Sequence, residues 1–225
     1  MALFHFGDIV HQKPEVPMYL PQHFAETDPA RIEALIDAHP LACVVAQAEG
    51  GMVANHLPLL RDGAGRLIGH IARANPLHTR VAQGAELLAI FQGAEGYISP
   101  NWYPGKADHH RHVPTWNYEV AHVYGAARFF DDEKSLRAVV GRLTKRFEQE
   151  TNGAEGWRMA DAPADYMEQM LGQIIGLEIT ITRVLAKSKI GQNREAEDRL
   201  GAAEGLEARG NPALARAMRE RGGPL

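Results

Sequence analysis

The chain has a single cysteine in 225 residues, Cys43. No internal disulfide can form, which suits a reducing compartment. Cys43 lies in the apolar run Leu41-Ala42-Cys43-Val44-Val45, where a small buried hydrophobe is a better reading than a nucleophile. No apolar run approaches the roughly 18 residues that a membrane-spanning helix needs. The N-terminus lacks a basic region followed by a long apolar segment, so no secretory signal is expected and a cytoplasmic location is. Positive charge is not in excess: 24 Lys and Arg stand against 28 Asp and Glu, a formal net charge of −4. That balance gives no general attraction to a polyanion, so any DNA contact needs a local basic patch. GxGxxG, GxxxxGK(S/T), GxSxG and helix-turn-helix signatures are missing as well.

What is present is ordinary in bulk. Apolar residues make up 45% and charged residues 23%, enough to bury a core. The length fits one mixed domain and allows two compact ones. Residues 1–17 are interrupted by Pro, His and Gly without a period and read as an extension. Asp28 caps a helix that Pro29 opens, with Ile32, Leu35 and Ile36 on one face and Pro40 beyond its end. Strand-like runs follow at 41–47, 52–60, 65–71 and 86–91, with Asp62-Gly63 as a hairpin turn. Asn75-Pro76 starts a short helix through Gln83. A long strand is expected from Asn117 to Phe130. An amphipathic helix then runs from Asp131 to Gln149, with acidic residues at its positive end and a core face of Val139, Val140, Leu143 and Phe147. Pro163 to Leu171 reads as a helix and Ile174 to Leu185 as a β-branched strand. From Arg194 onward, surface helices broken by Gly201, Gly205 and Gly210 are expected. Five or six short strands with helices at both ends suggest an α+β fold, a small barrel with peripheral helices.

Five stretches invite chemistry. In His70-Ile71-Ala72-Arg73-Ala74-Asn75-Pro76-Leu77-His78 a strand delivers Arg73 to a helix start. Free N–H groups there favour an anion, and the arginine fork suits a phosphate. An ordinary capped helix with a surface arginine and histidine is the competing reading. In Ala54-Asn55-His56-Leu57-Pro58, alternation sends Asn55 and His56 to opposite faces, and polar groups in an apolar strand need partners. Ser99-Pro100-Asn101-Trp102-Tyr103-Pro104 and Val113-Pro114-Thr115-Trp116-Asn117-Tyr118 combine rigid aromatics with amides. They could line a flat heteroaromatic ring or simply pack. Asp108-His109-His110-Arg111-His112 is rich in ligand types, but its adjacent spacing suits a solvated loop better than a metal site. Lys187-Ser188-Lys189-Ile190-Gly191-Gln192-Asn193-Arg194 is either a basic turn or a contact for a phosphate or a flavin edge.

Taken in order, these stretches resemble the PaiB family of FMN-binding negative transcriptional regulators. The resemblance runs from about Met18 to Arg199. It is carried by Met18-Tyr19-Leu20-Pro21-Gln22-His23-Phe24, Ala54-Asn55-His56-Leu57-Pro58, Gly69-His70-Ile71-Ala72-Arg73-Ala74-Asn75-Pro76, Tyr97-Ile98-Ser99-Pro100-Asn101-Trp102-Tyr103, Val113-Pro114-Thr115-Trp116-Asn117-Tyr118, Asp161-Ala162-Pro163-Ala164-Asp165-Tyr166 and Lys189-Ile190-Gly191-Gln192-Asn193-Arg194. It implies a mainly antiparallel, six-stranded Greek-key split β-barrel over residues 18–190, with a helical tail at 191–225. It also implies FMN as cofactor and a homodimer with flavin at the interface. By position, Arg73, Asn75 and His78 would hold the phosphate, Asn55 and His56 would approach the flavin, and Trp116 and Asn117 would face the ring. Lys189, Gln192, Asn193 and Arg194 would close the site. Gly191 stands where the family pattern leads one to expect serine. DNA is a partner by this analogy alone, since the charge does not support it, and no metal site is implied. Two other functions fit the same fold: a flavin-dependent oxidoreductase, of flavin-reductase or pyridoxamine-phosphate-oxidase kind, and a haem-binding split barrel drawing on the eleven histidines.

Overall fold

A computed structural model describes residues 18–63 and 65–220. The extension expected at 1–17 lies outside the described residues. Eight strands form: β1 (Ala25–Glu26), β2 (Leu41–Ala48), β3 (Gly51–Pro58), β4 (Leu60–Arg61), β5 (Arg66–Ala72), β6 (Glu86–Ile98), β7 (Thr115–Phe130) and β8 (Ile174–Lys189). The α-helices are α1 (Pro29–Ala38), α2 (Leu77–Arg80), α3 (Lys106–His109), α4 (Glu133–Asn152), α5 (Ala164–Gly172), α6 (Ala196–Glu207) and α7 (Pro212–Glu220). The strands follow the order β3-β2-β6-β7-β8-β5-β4, with β1 paired to β8. Against the six strands expected, two of the eight, β1 and β4, are only two residues long.

Alternation explains the strand register. In β2, Ala42, Val44, Ala46 and Ala48 are buried on one face, and the strand pairs antiparallel with β3 from Leu41 opposite Pro58 to Ala48 opposite Gly51. The other side of β2 pairs antiparallel with β6, Cys43 opposite Ile90. Strand β5 runs antiparallel to β8, Leu67 opposite Ile179 and Ile71 opposite Ile175. Strand β6 extends seven residues past the expected Phe91, to Ile98. Gln92, Gly93, Glu95 and Gly96 disguise a strand whose buried positions run Leu87, Ala89, Phe91 and Gly93 and then change phase to Gly96 and Ile98.

Contacts divide the described residues into two units: 39–91 with 122–184, and 18–38 with 92–121 and 185–220. In the first, α4 is capped by Asp132, whose side chain accepts from Ser135 N at 3.0 Å. It buries Leu136, Val139 and Leu143, and Ile68, Leu60, Phe130 and Phe147 complete that cluster.

In the second unit α6 and α7 are core elements rather than the surface helices expected. Ala202, Ala203, Leu206, Leu214, Ala215 and Met218 pack with Ile98 and Ile190. Gly201 and Gly205 do not break α6. A Cβ on Gly201 would stand 2.3 Å from the Trp102 carbonyl oxygen, and one on Gly205 would stand 2.4 Å from the Trp102 ring. The two glycines form the flat face against which Trp102 packs.

Candidate functional site

Two groups of the expected residues come together, one in each unit. In the first unit, a cavity of about 520 Å³ is lined by Val53, Ala54 and Asn55 of β3 and by Ala74, Asn75, Pro76, Leu77 and Arg80. Asn75 organises it. Its Nδ2 donates to Asn55 Oδ1 at 2.8 Å, its Oδ1 accepts from Leu77 N at 3.0 Å, and its carbonyl accepts from His78 Nδ1 at 2.8 Å. The helix after Pro76 is a single turn, four residues rather than the eight expected through Gln83. Its first N–H is already taken by Asn75, so the turn itself offers little to an anion.

The cation at this cavity is Arg80. Arg73 lies outside the lining. Its Nε donates to the Gly172 carbonyl at 2.7 Å, one terminal nitrogen to the Ile174 carbonyl at 3.3 Å, and the other faces Asp131 at 3.4 Å. Arg73 therefore fastens the end of α5 and the start of β8 to the end of β5. Arg80 has no carboxylate within ion-pair distance among the described residues, which leaves its guanidinium available. Sequence reasoning missed Arg80, although its spacing of four from Pro76 puts both on one helical face. His56 is exposed on β3, opposite Cys43.

In the second unit, Trp116 is half exposed. Its Nε1 donates to Glu95 Oε2, and its ring meets Tyr97 edge-on at 6.3 Å. Asn117 is buried, and among the described residues its Nδ2 reaches only the Met218 sulfur of α7, at 3.6 Å. Lys189 Nζ donates to Thr115 Oγ1 at 2.6 Å. Burial holds its amine below the ordinary lysine value, against an opposing pull from Tyr118, and the neighbouring Lys187 and Arg194 charges add to the depression. Gln192 holds the turn, accepting from Ile190 N at 2.9 Å and donating to the Ser188 carbonyl. Arg194 lies over the Tyr103 ring at 5.4 Å, and Asn193 is exposed. Gly191 has φ +87°, a conformation that strains any other residue, including the serine expected there.

Of Asp108 to His112, only His112 is deeply placed. Its Nε2 lies 3.2 Å from Asp198 Oδ2, and its ring lies 4.8 Å from those of Tyr103 and His109. Among the described residues no three His, Cys, Asp or Glu side chains converge as metal ligands would.

Comparison with known proteins agrees with the resemblance. The family described as "Putative FMN-binding domain" matches residues 18–183. Protease synthase and sporulation protein PAI 2 of Bacillus subtilis is 29% identical, over 87% of this chain and 92% of its own length. An uncharacterized protein of Emericella nidulans is 30% identical, over 91% of this chain and 98% of its own. Among solved structures, the FAD and haem binding protein of Mycobacterium smegmatis aligns with a TM-score of 0.57 at 21% identity, covering 79% of each chain. The flavocytochrome Anf3 of Azotobacter vinelandii aligns at 0.56 and 19% identity, covering 79% of this chain and 77% of its own. At that identity the structural matches speak to the fold alone. With the family match spanning well over half of its residues, the chain belongs to the PaiB-type family of FMN-binding domains.

Proposed function

We propose that this protein binds FMN with the phosphate in the cavity between β3 and α2, as a split-barrel homodimer. The observation that carries this reading is the Arg80 guanidinium, without an ion pair among the described residues, beside the Asn55–Asn75 amide pair. A guanidinium and an amide are donors a phosphate dianion takes well, and the cavity volume of about 520 Å³ lies in the range of small-ligand sites. Asn75 would hold Asn55 in place, His78 would hold Asn75, and Asn55 Nδ2 and Arg80 would meet the phosphate. His56 and, by the resemblance, Trp116, Asn117, Lys189, Gln192, Asn193 and Arg194 complete the proposed contacts. Bound flavin would supply one- or two-electron redox chemistry.

Strand β3 supports the homodimer. It ends the strand order and, among the described residues, pairs only with β2. Most of its residues keep solvent access on both faces, Met52 at 71%. An open apolar edge of eight residues invites a strand from a second copy. The cavity lies along that edge, so pairing there would enclose it.

The physiological role we propose is that of a flavin-bound negative regulator, the role its family name carries, in the cytoplasm. The net charge of −4 favours a protein partner or a local patch over broad DNA contact. The direct test is an absorption spectrum after incubation with FMN and desalting. A retained flavin band supports the reading, and a flavin-free protein rejects it. Turnover of reduced nicotinamide by the holoprotein would instead favour the oxidoreductase alternative.

A further inference from the structure

We propose that the cavity between the last turns of α4 and the segment that returns along it, residues 153–159, is a binding site for a small aromatic carboxylate. It shares no lining residue with the cavity at Asn55 and Asn75 and does not rest on the flavin reading.

One sharp reversal builds the site. Gly153 closes α4: its N–H donates to the Gln149 carbonyl and its φ is +58°, a left-handed value that ends a helix and suits glycine. The chain then runs back along the helix. Glu148 fastens it, its Oε2 accepting from Asn152 Nδ2 at 2.7 Å and from Trp157 N at 3.0 Å. These two donors, Asn152 first, hold the Glu148 carboxyl below the ordinary range. Gly156 lies so close to the helix that a Cβ on it would stand 3.0 Å from Glu148 Cβ. Further on, Arg158 N donates to Asp161 Oδ2 at 2.8 Å. The walls are therefore set by the chain's own contacts, which lowers the ordering a ligand must impose.

Between the walls lies a cavity of about 770 Å³, within the size of small-ligand sites. The helix side is the stripe Gly141, Thr144, Lys145 and Glu148, spaced three and four residues apart. Gly141 leaves room beneath Met159, since a Cβ there would already come to 3.5 Å from its sulfur. The returning side supplies Trp157, Arg158 and Met159. Trp157 leaves 42% of its surface exposed, and a flat indole beside a polarizable thioether suits an aromatic ring. The charges select what that ring carries. Lys145 and Arg158 have no ion pair among the described residues. The carboxylate in the lining, Glu148, already accepts two N–H bonds. Two cations against one satisfied carboxylate make this lining net positive on a chain of net charge −4. A ring laid against Trp157 with its carboxylate toward Lys145 and Arg158 uses both features. An aliphatic acid leaves the indole unused, and a neutral aromatic leaves the cations unused.

The experiment is calorimetric titration of the full chain with 2-naphthoate, with the uncharged 2-naphthamide and with acetate, at constant ionic strength, on apoprotein and at saturating FMN. Naphthoate should bind both forms alike, with the amide and acetate each weaker by about tenfold or more. Lys145→Met and Arg158→Met should each weaken naphthoate by about tenfold and leave the amide unchanged. Trp157→Leu should weaken both aromatic probes by about fivefold. Gly141→Leu puts a side chain into the cavity and should abolish naphthoate binding, while the variant melts at or above the wild-type temperature because leucine is the better helix former. Four results would each overturn the proposal: no naphthoate binding to wild type, an amide bound as tightly as the acid, binding that survives Gly141→Leu, or binding that FMN displaces. Loss of FMN retention with the naphthoate titration intact would sink the flavin reading and leave this site standing.

Discussion

Arg73 and Arg80 lie seven residues apart and the structure gives them opposite work, so a pair of alanine variants separates the roles. Arg80 lines the cavity with no ion pair among the described residues, and it is exposed. Its removal should leave the apoprotein's stability within about 0.5 kcal/mol of wild type, as for most surface substitutions. A charged hydrogen bond to phosphate contributes about 1.5–3 kcal/mol, so FMN affinity should fall by about 10- to 150-fold. Arg73 loses two hydrogen bonds to the carbonyls of Gly172 and Ile174 and a contact with Asp131. Its side chain is 42% exposed and Asp131 67%, so the ion pair itself adds little. Arg73→Ala should cost about 1–2 kcal/mol of stability, with FMN affinity changed by less than about threefold once folding is allowed for. The assays are urea unfolding of each apoprotein and flavin fluorescence titration with FMN and with riboflavin, which lacks the phosphate. The Arg80→Ala loss should appear with FMN and vanish with riboflavin. A stable Arg73→Ala protein that no longer discriminates FMN from riboflavin, beside an Arg80→Ala protein that does, would refute the assignment.

Three further outcomes follow from single features. His70 and His122 are held below the ordinary histidine value by burial. Below pH ~6.5 the unfolded chain therefore binds more protons than the folded one, and stability falls as pH drops from there through the folded values. Stability should therefore be lower at pH 5.5 than at pH 7.5, a difference that His122→Asn reduces, checked by denaturation at both pH values. Gly205→Leu drives a side chain into the Trp102 ring and should lower stability by about 1–3 kcal/mol or more, read as a drop of several degrees in Tm. Ala54→Pro removes a β3 backbone donor at the open edge; light scattering should show monomer, with weaker FMN binding.

Much of the fold was legible because it rests on local periodicity. Ile32 and Ile36 mark one face of α1, Val139 and Leu143 mark α4, and the alternation from Leu177 to Ile181 marks β8. Asn55 stood out as a polar residue in an apolar strand and Asn75 as the start of a short helix, and the structure joins them by a hydrogen bond across 20 positions. The extensions of β6 and β8 were hidden because glycines, glutamates and lysines mimic turn composition. The C-terminal helices read as surface because α6 is glycine-rich and charged. Its burial depends on Trp102, 99 residues before Gly201, which no local window connects.

The sequence alone determined where most of the strands and helices form and which family the chain joins, because propensity, alternation and ordered motifs act between near neighbours. Tertiary structure alone decided which arginine is spent on carbonyls and which lines a cavity with no ion pair among the described residues. It also decided that Asn117 lies beside Met218 and that Lys187 and Lys189 have no carboxylate partner among the described residues. Those outcomes depend on which distant backbone and side-chain groups arrive within about 3 Å, the range over which hydrogen bonds and ion pairs are made.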